Sequence, residues 1–160
     1  MLPKAAAGAE VEDRLAYLFK RAHLDLAALH EELLAPFGIS AGELAVMMLI
    51  QTCEPESQQQ VARRLGIDRT TMVEVIDELE VKGLVRRRPD TADRRRKVLE
   101  LTEAGQSTLP RATEASDQAE QQLLAEFDDN ERATLRALLR RLAAAPRYAG
   151  RSEQSPGLSR

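Results

Sequence analysis

Seven Lys and Arg crowd into residues 86–97 of this 160-residue chain against two acids, a local charge of +5. Charge of that density attracts polyanions, and the planar fork of arginine suits phosphate. The wider stretch 57–105 holds eleven basic and nine acidic residues, net +2, which leaves −5 for the rest of a chain whose total is −3. Positive charge is thus concentrated in one segment. The other chemistry-bearing residues are sparse. His23 and His30 stand seven apart on one helical segment, ~10.5 Å along its axis, too far for the ~2 Å bonds of one ion. Cys53, the single cysteine, has no obvious cation beside it, so a structural thiol comes ahead of a redox switch. There is no paired nucleophile and base, no Gly-rich phosphate loop and no metal set. The expectation is a non-enzyme without cofactor or metal.

Composition bounds the class. The chain is 43% apolar and 31% charged, ordinary for a soluble globular protein, and no apolar run approaches the ~18 residues of a membrane span. Residues 1–9 carry one lysine and no long apolar stretch, so no secretory signal is expected. With one cysteine and no possible internal disulfide, a reducing cytoplasm is the expected compartment.

The elements that must position the basic segment follow from periodicity. Val11, Leu15, Leu18, Ala22, Leu26, Leu29 and Leu33 recur at spacings of three and four without Gly or Pro, predicting one long helix over 10–36. It either faces its own core or also packs against a second chain. Ser40 with Glu43 forms a capping box for a second, strongly apolar helix. Ser57 caps a short third helix ended by Gly66, and Asp68 caps a fourth whose inward stripe is Met72, Val75, Ile76 and Leu79. Two strands follow, around Leu84–Val85 and Lys97–Thr102, with turn residues Pro89-Asp90-Thr91-Ala92-Asp93 between them. In the second strand Leu99 and Leu101 share one face, Val98 and Glu100 the other. Thr102 caps a fifth helix running to about Phe127 with a kink at Pro110. Asp128 and Glu131 box a sixth, with Leu135, Leu138, Leu139 and Leu142 on one face. Residues 146–160 are predicted to be a disordered tail.

The third and fourth helices carry the argument furthest. Val61, Ala62, Leu65, Gly66, Ile67, Met72 and Val75 supply the small residue, the chain-reversing glycine and the spaced apolar residues that a helix-turn-helix needs. A basic β-hairpin directly after it predicts a winged form, mainly α with a minor β element. The fourth helix enters the major groove, and the hairpin meets the backbone or the minor groove. On that helix Arg69, Thr70, Thr71 and Glu74 lie near the amino-terminal end and off the apolar stripe. Arg69 suits guanine, and Glu74 can accept from cytosine, although its charge opposes phosphate. Ser57 and Gln58 sit at a helix amino terminus, where backbone amides suit phosphate.

The stretches Leu65-Gly66-Ile67-Asp68-Arg69-Thr70-Thr71, Ile76-Asp77-Glu78-Leu79-Glu80-Val81-Lys82-Gly83-Leu84-Val85-Arg86-Arg87, Asp93-Arg94-Arg95 and Leu101-Thr102-Glu103-Ala104-Gly105 resemble the MarR family of bacterial transcription regulators. The motifs occur in the family's order and spacing over 57–105, and the helix order fits nearly the whole chain. The resemblance implies a single unit over 1–160. Within it, 40–102 would be the winged helix-turn-helix region and 10–36 and 103–145 would be long dimerisation helices. It further implies a homodimer on palindromic operator DNA, usually a repressor, released by a small ligand. The family's wing motif falls on Asp93 and Arg95, the aspartate bracing an arginine that enters the minor groove. Arg94 and Arg96 then become phosphate contacts, which position the protein without reading sequence. Many members have a basic residue where Glu74 stands here.

The family resemblance also places a ligand cleft between the first, second and fifth helices. Arg14, Tyr17, Phe19, His23 and His30 are the polar or aromatic candidates there, and arginine with histidine suits an aromatic or phenolic acid. A surface Arg14 and a core-edge His23 are the plainer account. The rival class is a helical protein-interaction module on a winged-helix scaffold that does not bind DNA specifically.

Overall fold

A computed structural model describes residues 11–52, 58–91, 93, 95 and 97–144. Cys53, Ser57, Arg94, Arg96 and the tail 146–160 lie outside the described residues. The elements in chain order are α1 (Leu15–Leu34), a short 3-10 turn (Ala35–Phe37), α2 (Ala41–Thr52), α3 (Gln58–Leu65), α4 (Arg69–Val81), β1 (Val85–Pro89), β2 (Lys97–Leu101), α5 (Glu103–Leu123) and α6 (Asp129–Ala144). The chain divides into two compact units, Met1–Leu123 and Leu124–Arg160.

In the first unit the amphipathic stripes converge. Leu34 of α1, Met47 of α2 and Met72, Ile76 and Leu79 of α4 are fully buried, with Leu99 and Leu101 of β2 and Leu109 and Ala112 of α5 around them. Each large side chain taken out of water contributes ~1.5–3 kcal/mol, so the inward stripe of α4 is what fastens that helix to the rest.

Local chemistry sets the boundaries. The Ser40–Glu43 box is closed in both directions: the Ser40 amide donates to Glu43 Oε2 at 2.7 Å, and the Glu43 amide donates to Ser40 Oγ at 3.2 Å. Gly66 takes φ +64°, and the Ile67 amide reaches back to the Ala62 carbonyl at 3.1 Å, a Schellman ending that reverses the chain between α3 and α4. Gly83 does the same for α4 at φ +69°, with the Leu84 amide on the Leu79 carbonyl at 3.0 Å. The strands pair antiparallel with Arg87 opposite Leu99 and Arg86 opposite Glu100.

Gly105 in the first turn of α5 answers a different demand. A Cβ there would stand 2.0 Å from the Leu84 carbonyl oxygen, so only glycine lets α5 lie against the start of the hairpin. Thr102 stitches the same corner. Its hydroxyl donates to the Gly83 carbonyl at 2.6 Å and accepts from the Gly105 amide at 3.0 Å.

Two expectations are corrected. The first helix is not continuous over 10–36: Arg14 is extended (φ −73°, ψ 132°) and regular helix begins at Leu15. Val11 and Glu12 before the break are still helical, and Val11 and Leu15 on either side of it are 57% and 71% exposed, so little packing holds the two pieces in line. On the face of β2 opposite Leu99 and Leu101, Val98 is buried and Glu100 half-buried. The fifth helix ends at Leu123, because the Phe127 amide turns back to Leu124 and the next cap needs a non-helical residue. α5 runs on through Pro110. Pro110 and Gln106 are both exposed, which leaves the carbonyl four residues before the proline open to water.

The second unit is helix α6. Its capping box is closed by Asp128 and Glu131, each amide bonded to the other's carboxylate at 2.9 Å. Leu138, Leu139 and Leu142 are 53%, 42% and 59% exposed.

Candidate nucleic-acid interface

The interface is assembled on α4 and the hairpin. Asp68 caps α4 by accepting the Thr70 and Thr71 amides at 2.9 and 3.0 Å and the Thr71 hydroxyl at 2.6 Å. The Thr71 hydroxyl, then those amides, hold the Asp68 carboxyl below the usual range. With Met72, Ile76 and Leu79 turned inward, Arg69, Thr70, Thr71, Val73, Glu74 and Asp77 are exposed on the outer side. Arg69, Thr70, Thr71 and Glu74 are therefore brought together as the periodicity demanded. Val73 was missed, because a lone valine between polar residues gives no chemical signal until the inward stripe is located.

Behind this face, ion pairs fix the hairpin to the helix. Arg87 reaches Asp77 Oδ1 at 2.7 Å and also Glu80, while its own amide donates to Glu80 Oε1 at 2.9 Å. Arg86 and Arg88 both grip Glu100 across the strands. Those bonds, Arg86 first and then Arg88, keep the Glu100 carboxyl below its ordinary range. The +5 segment is thus partly neutralised by acids outside it: Arg86, Arg87 and Arg88 brace the wing against Glu100, Asp77 and Glu80. At the tip of the wing the Asp93 carboxylate accepts the Arg95 amide at 3.0 Å, and both side chains are exposed. Asp93 thus shapes the turn from which Arg95 projects. Gln58 is the first residue of α3.

A second pairing invisible in the sequence supports α4 from its other end. Glu43 is 2% exposed, yet it receives Lys82 Nζ at 2.6 and 2.8 Å on its two oxygens. The capping carboxylate of α2 is in this way also the counter-ion of the C-cap of α4.

The candidate ligand residues separate. His30 Nε2 hydrogen-bonds Ser116 Oγ of α5 at 3.0 Å. Arg14, Tyr17, Phe19 and His23 are exposed. A cavity of about 350 Å³ opens between the end of α1 and α5, lined in part by Leu33, Phe37, Arg111 and Glu114, with the Arg111 guanidinium 5.5 Å from the centre of the Phe37 ring. None of the five candidates lines it. Among the described residues no three His, Cys, Asp or Glu side chains gather as a metal site, and no single helix is long and apolar enough to cross a membrane.

A capped helix-turn-helix followed by a braced basic hairpin defines a winged helix-turn-helix protein. The MarR family model matches residues 39–97. A transcriptional regulatory protein assigned to the hcr operon of Thauera aromatica is 35% identical over 105 residues, an alignment that spans 66% of this chain and 63% of that relative's length. Among solved structures, the transcriptional repressor CouR bound to a 23-mer DNA duplex is 30% identical with a TM-score of 0.78, covering 84% of this chain and 95% of that one. CouR from Rhodococcus jostii RHA1 bound to p-coumaroyl-CoA is 28% identical with a TM-score of 0.74, covering 84% and 94%. The chain belongs to the MarR family and is a DNA-binding transcriptional regulator of that class.

Proposed function

We propose that this protein is a homodimeric repressor that binds a palindromic operator and is released from it by a small acidic effector. The observation that carries the proposal is the outer face of α4. Arg69, Thr70 and Glu74 stand free of the core beside a wing whose tip presents Arg95. Arg69 reads guanine, Glu74 accepts from a cytosine amino group, and Arg95 enters the minor groove with Arg94 and Arg96 on phosphates. The amides at the start of α3, with Ser57 and Gln58, take a further phosphate.

In this reading residues 40–102 bind DNA, and 10–36 with 103–145 hold the two copies together. The exposed apolar residues support that division: Leu15 and Leu18 on α1, and Leu138, Leu139 and Leu142 on α6, are between 42% and 71% exposed. A palindromic site suits a two-fold dimer whose recognition helices lie about one DNA turn, ~34 Å, apart. The effector is an aromatic or phenolic acid beside His30, with Arg14, Tyr17, Phe19 and His23 completing its site once a second copy encloses α1. CouR, seen with DNA and with p-coumaroyl-CoA, lends support to release by such a ligand. A ligand that favours another spacing of the helices weakens binding in proportion to its preference for that state.

The test is an anisotropy titration against the DNA flanking the protein's own gene, at two salt concentrations and with nonspecific competitor. Saturable, salt-dependent binding to a palindrome is expected, and Arg95→Ala weakens it about tenfold, the scale of one lost specific contact, while leaving the dimer intact. Equal affinity for competitor overturns the proposal and moves the protein-interaction module into its place.

A further inference from the structure

We infer that Val73 reads the C5-methyl group of a pyrimidine in the operator half-site, thymine in unmodified DNA. The inference rests on the proposed DNA reading and adds a base preference that the polar residues do not supply. Two of the outward side chains of α4 are already committed. The Thr71 hydroxyl donates to Asp68 at 2.6 Å, and the Asp77 carboxylate is held by Arg87 at 2.7 Å. The amino-terminal two turns are left with Arg69, Thr70, Val73 and Glu74, all exposed. Val73 is the one apolar member of that set and is 36% exposed. It lies three residues after Thr70 and four after Arg69, so all three share one side of the helix.

The major-groove edge of a base pair carries hydrogen-bond donors and acceptors and a single apolar feature, the pyrimidine methyl. An isolated surface valine needs no explanation by itself. Here, however, the valine occupies the centre of the face that meets the base edges, and its β-branched side chain holds a narrow set of rotamers on a helix. It cannot hydrogen-bond to a base. Against guanine, adenine or unmethylated cytosine it would desolvate a polar edge without return, and against a methyl it buries apolar surface on both partners. The second exposed valine of α4, Val81, is 89% exposed but lies eight residues further along, ~12 Å down the axis, and so lies outside the reading turns. With Glu74 beside it, Val73 gives the helix a preference for a methylated pyrimidine next to cytosine.

The experiment uses the full-length protein and operator duplexes chosen by selection from random sequence. Each thymidine in the half-sites is replaced by deoxyuridine, which removes the methyl and nothing else, and each deoxycytidine by its 5-methyl form. One deoxyuridine position per half-site is expected to weaken wild-type binding about fourfold, the scale of one buried methyl group, and about fifteenfold when both half-sites are changed. Val73→Ala, at an exposed helical position where alanine is favourable, is expected to bind the two duplexes alike. A gain on 5-methylcytosine that Val73→Ala abolishes assigns the methyl to that base instead. Insensitivity of the wild type to both replacements, with selective binding retained, overturns the inference and leaves the regulator intact. Failure to enrich any sequence overturns both.

Discussion

The winged region and the two long flanking helices use the same kinds of residue to opposite ends. In the winged region most large apolar side chains are buried or half-buried, Met48, Val73 and Val81 excepted, and three boundaries are closed by named bonds: Ser40 with Glu43, Asp68 with Thr71, Thr102 with Gly83. On α6 the capping box is equally regular and on both α1 and α6 the apolar stripe repeats, yet Leu15 and Leu142 are 71% and 59% exposed. An exposed apolar stripe of this kind is what the proposed dimer would cover. The comparison teaches that amphipathicity alone does not separate a core helix from an interface helix. What separates them is whether the chain supplies a second stripe within reach.

That contrast can be broken from the closed side first. Gly105→Ala is expected to cost about 3 kcal/mol or more, because a Cβ 2.0 Å from the Leu84 carbonyl cannot be relieved by a side-chain rotation. Urea unfolding checks it, and a midpoint within error of wild type would show that α5 and the hairpin are free to separate. Lys82→Met should cost about 2–3 kcal/mol by stranding the Glu43 carboxylate in the core, tempered by the one-third exposure of Lys82. Adding Glu43→Gln to that variant should recover a substantial part of the loss, and a purely additive double variant would deny the coupling.

From the open side, Leu138→Glu with Leu142→Glu is expected to shift the proposed dimer toward monomer at micromolar concentration without lowering far-ultraviolet helicity, as light scattering and circular dichroism would report. Unchanged mass would mean that this face of α6 is not the contact. The smallest effect concerns acid. Asp68 and Glu100 have carboxyls held below their ordinary range, so their stabilisation is present above the unfolded value of ~4 and is lost as pH falls through the lower folded value. Thermal midpoints should therefore drop on going from pH 5 to pH 3. Asp68→Asn, which keeps a capping oxygen without its charge, should flatten part of that slope.

Much of this protein was legible in one dimension because its signals are local. A capping box acts across three residues, a Schellman glycine across six, and a helical stripe repeats every three or four, so Ser40, Gly66, Asp68, Gly83 and Asp128 mark their boundaries directly. The hairpin and the outward set Arg69, Thr70, Thr71 and Glu74 follow from the same short-range rules. What stayed hidden depends on contacts between residues far apart in sequence. Glu43 is a capping residue in the sequence and becomes a buried ion-pair partner only when Lys82 arrives 39 positions later. The arginine run looks like free charge until Glu80 and Glu100 consume part of it. Gly105 looks like a helix weakness until the Leu84 carbonyl is found beside it. The break at Arg14 follows the same logic in reverse, since an exposed stripe has little packing to hold the helix straight across it. The sequence by itself determined where the helices and strands begin and which faces are apolar, because backbone hydrogen bonding and side-chain period act over a few residues. Only the tertiary structure decided which charges are spent, which glycine is obligatory and which apolar residues stay exposed, because those depend on what the fold brings within a few ångströms.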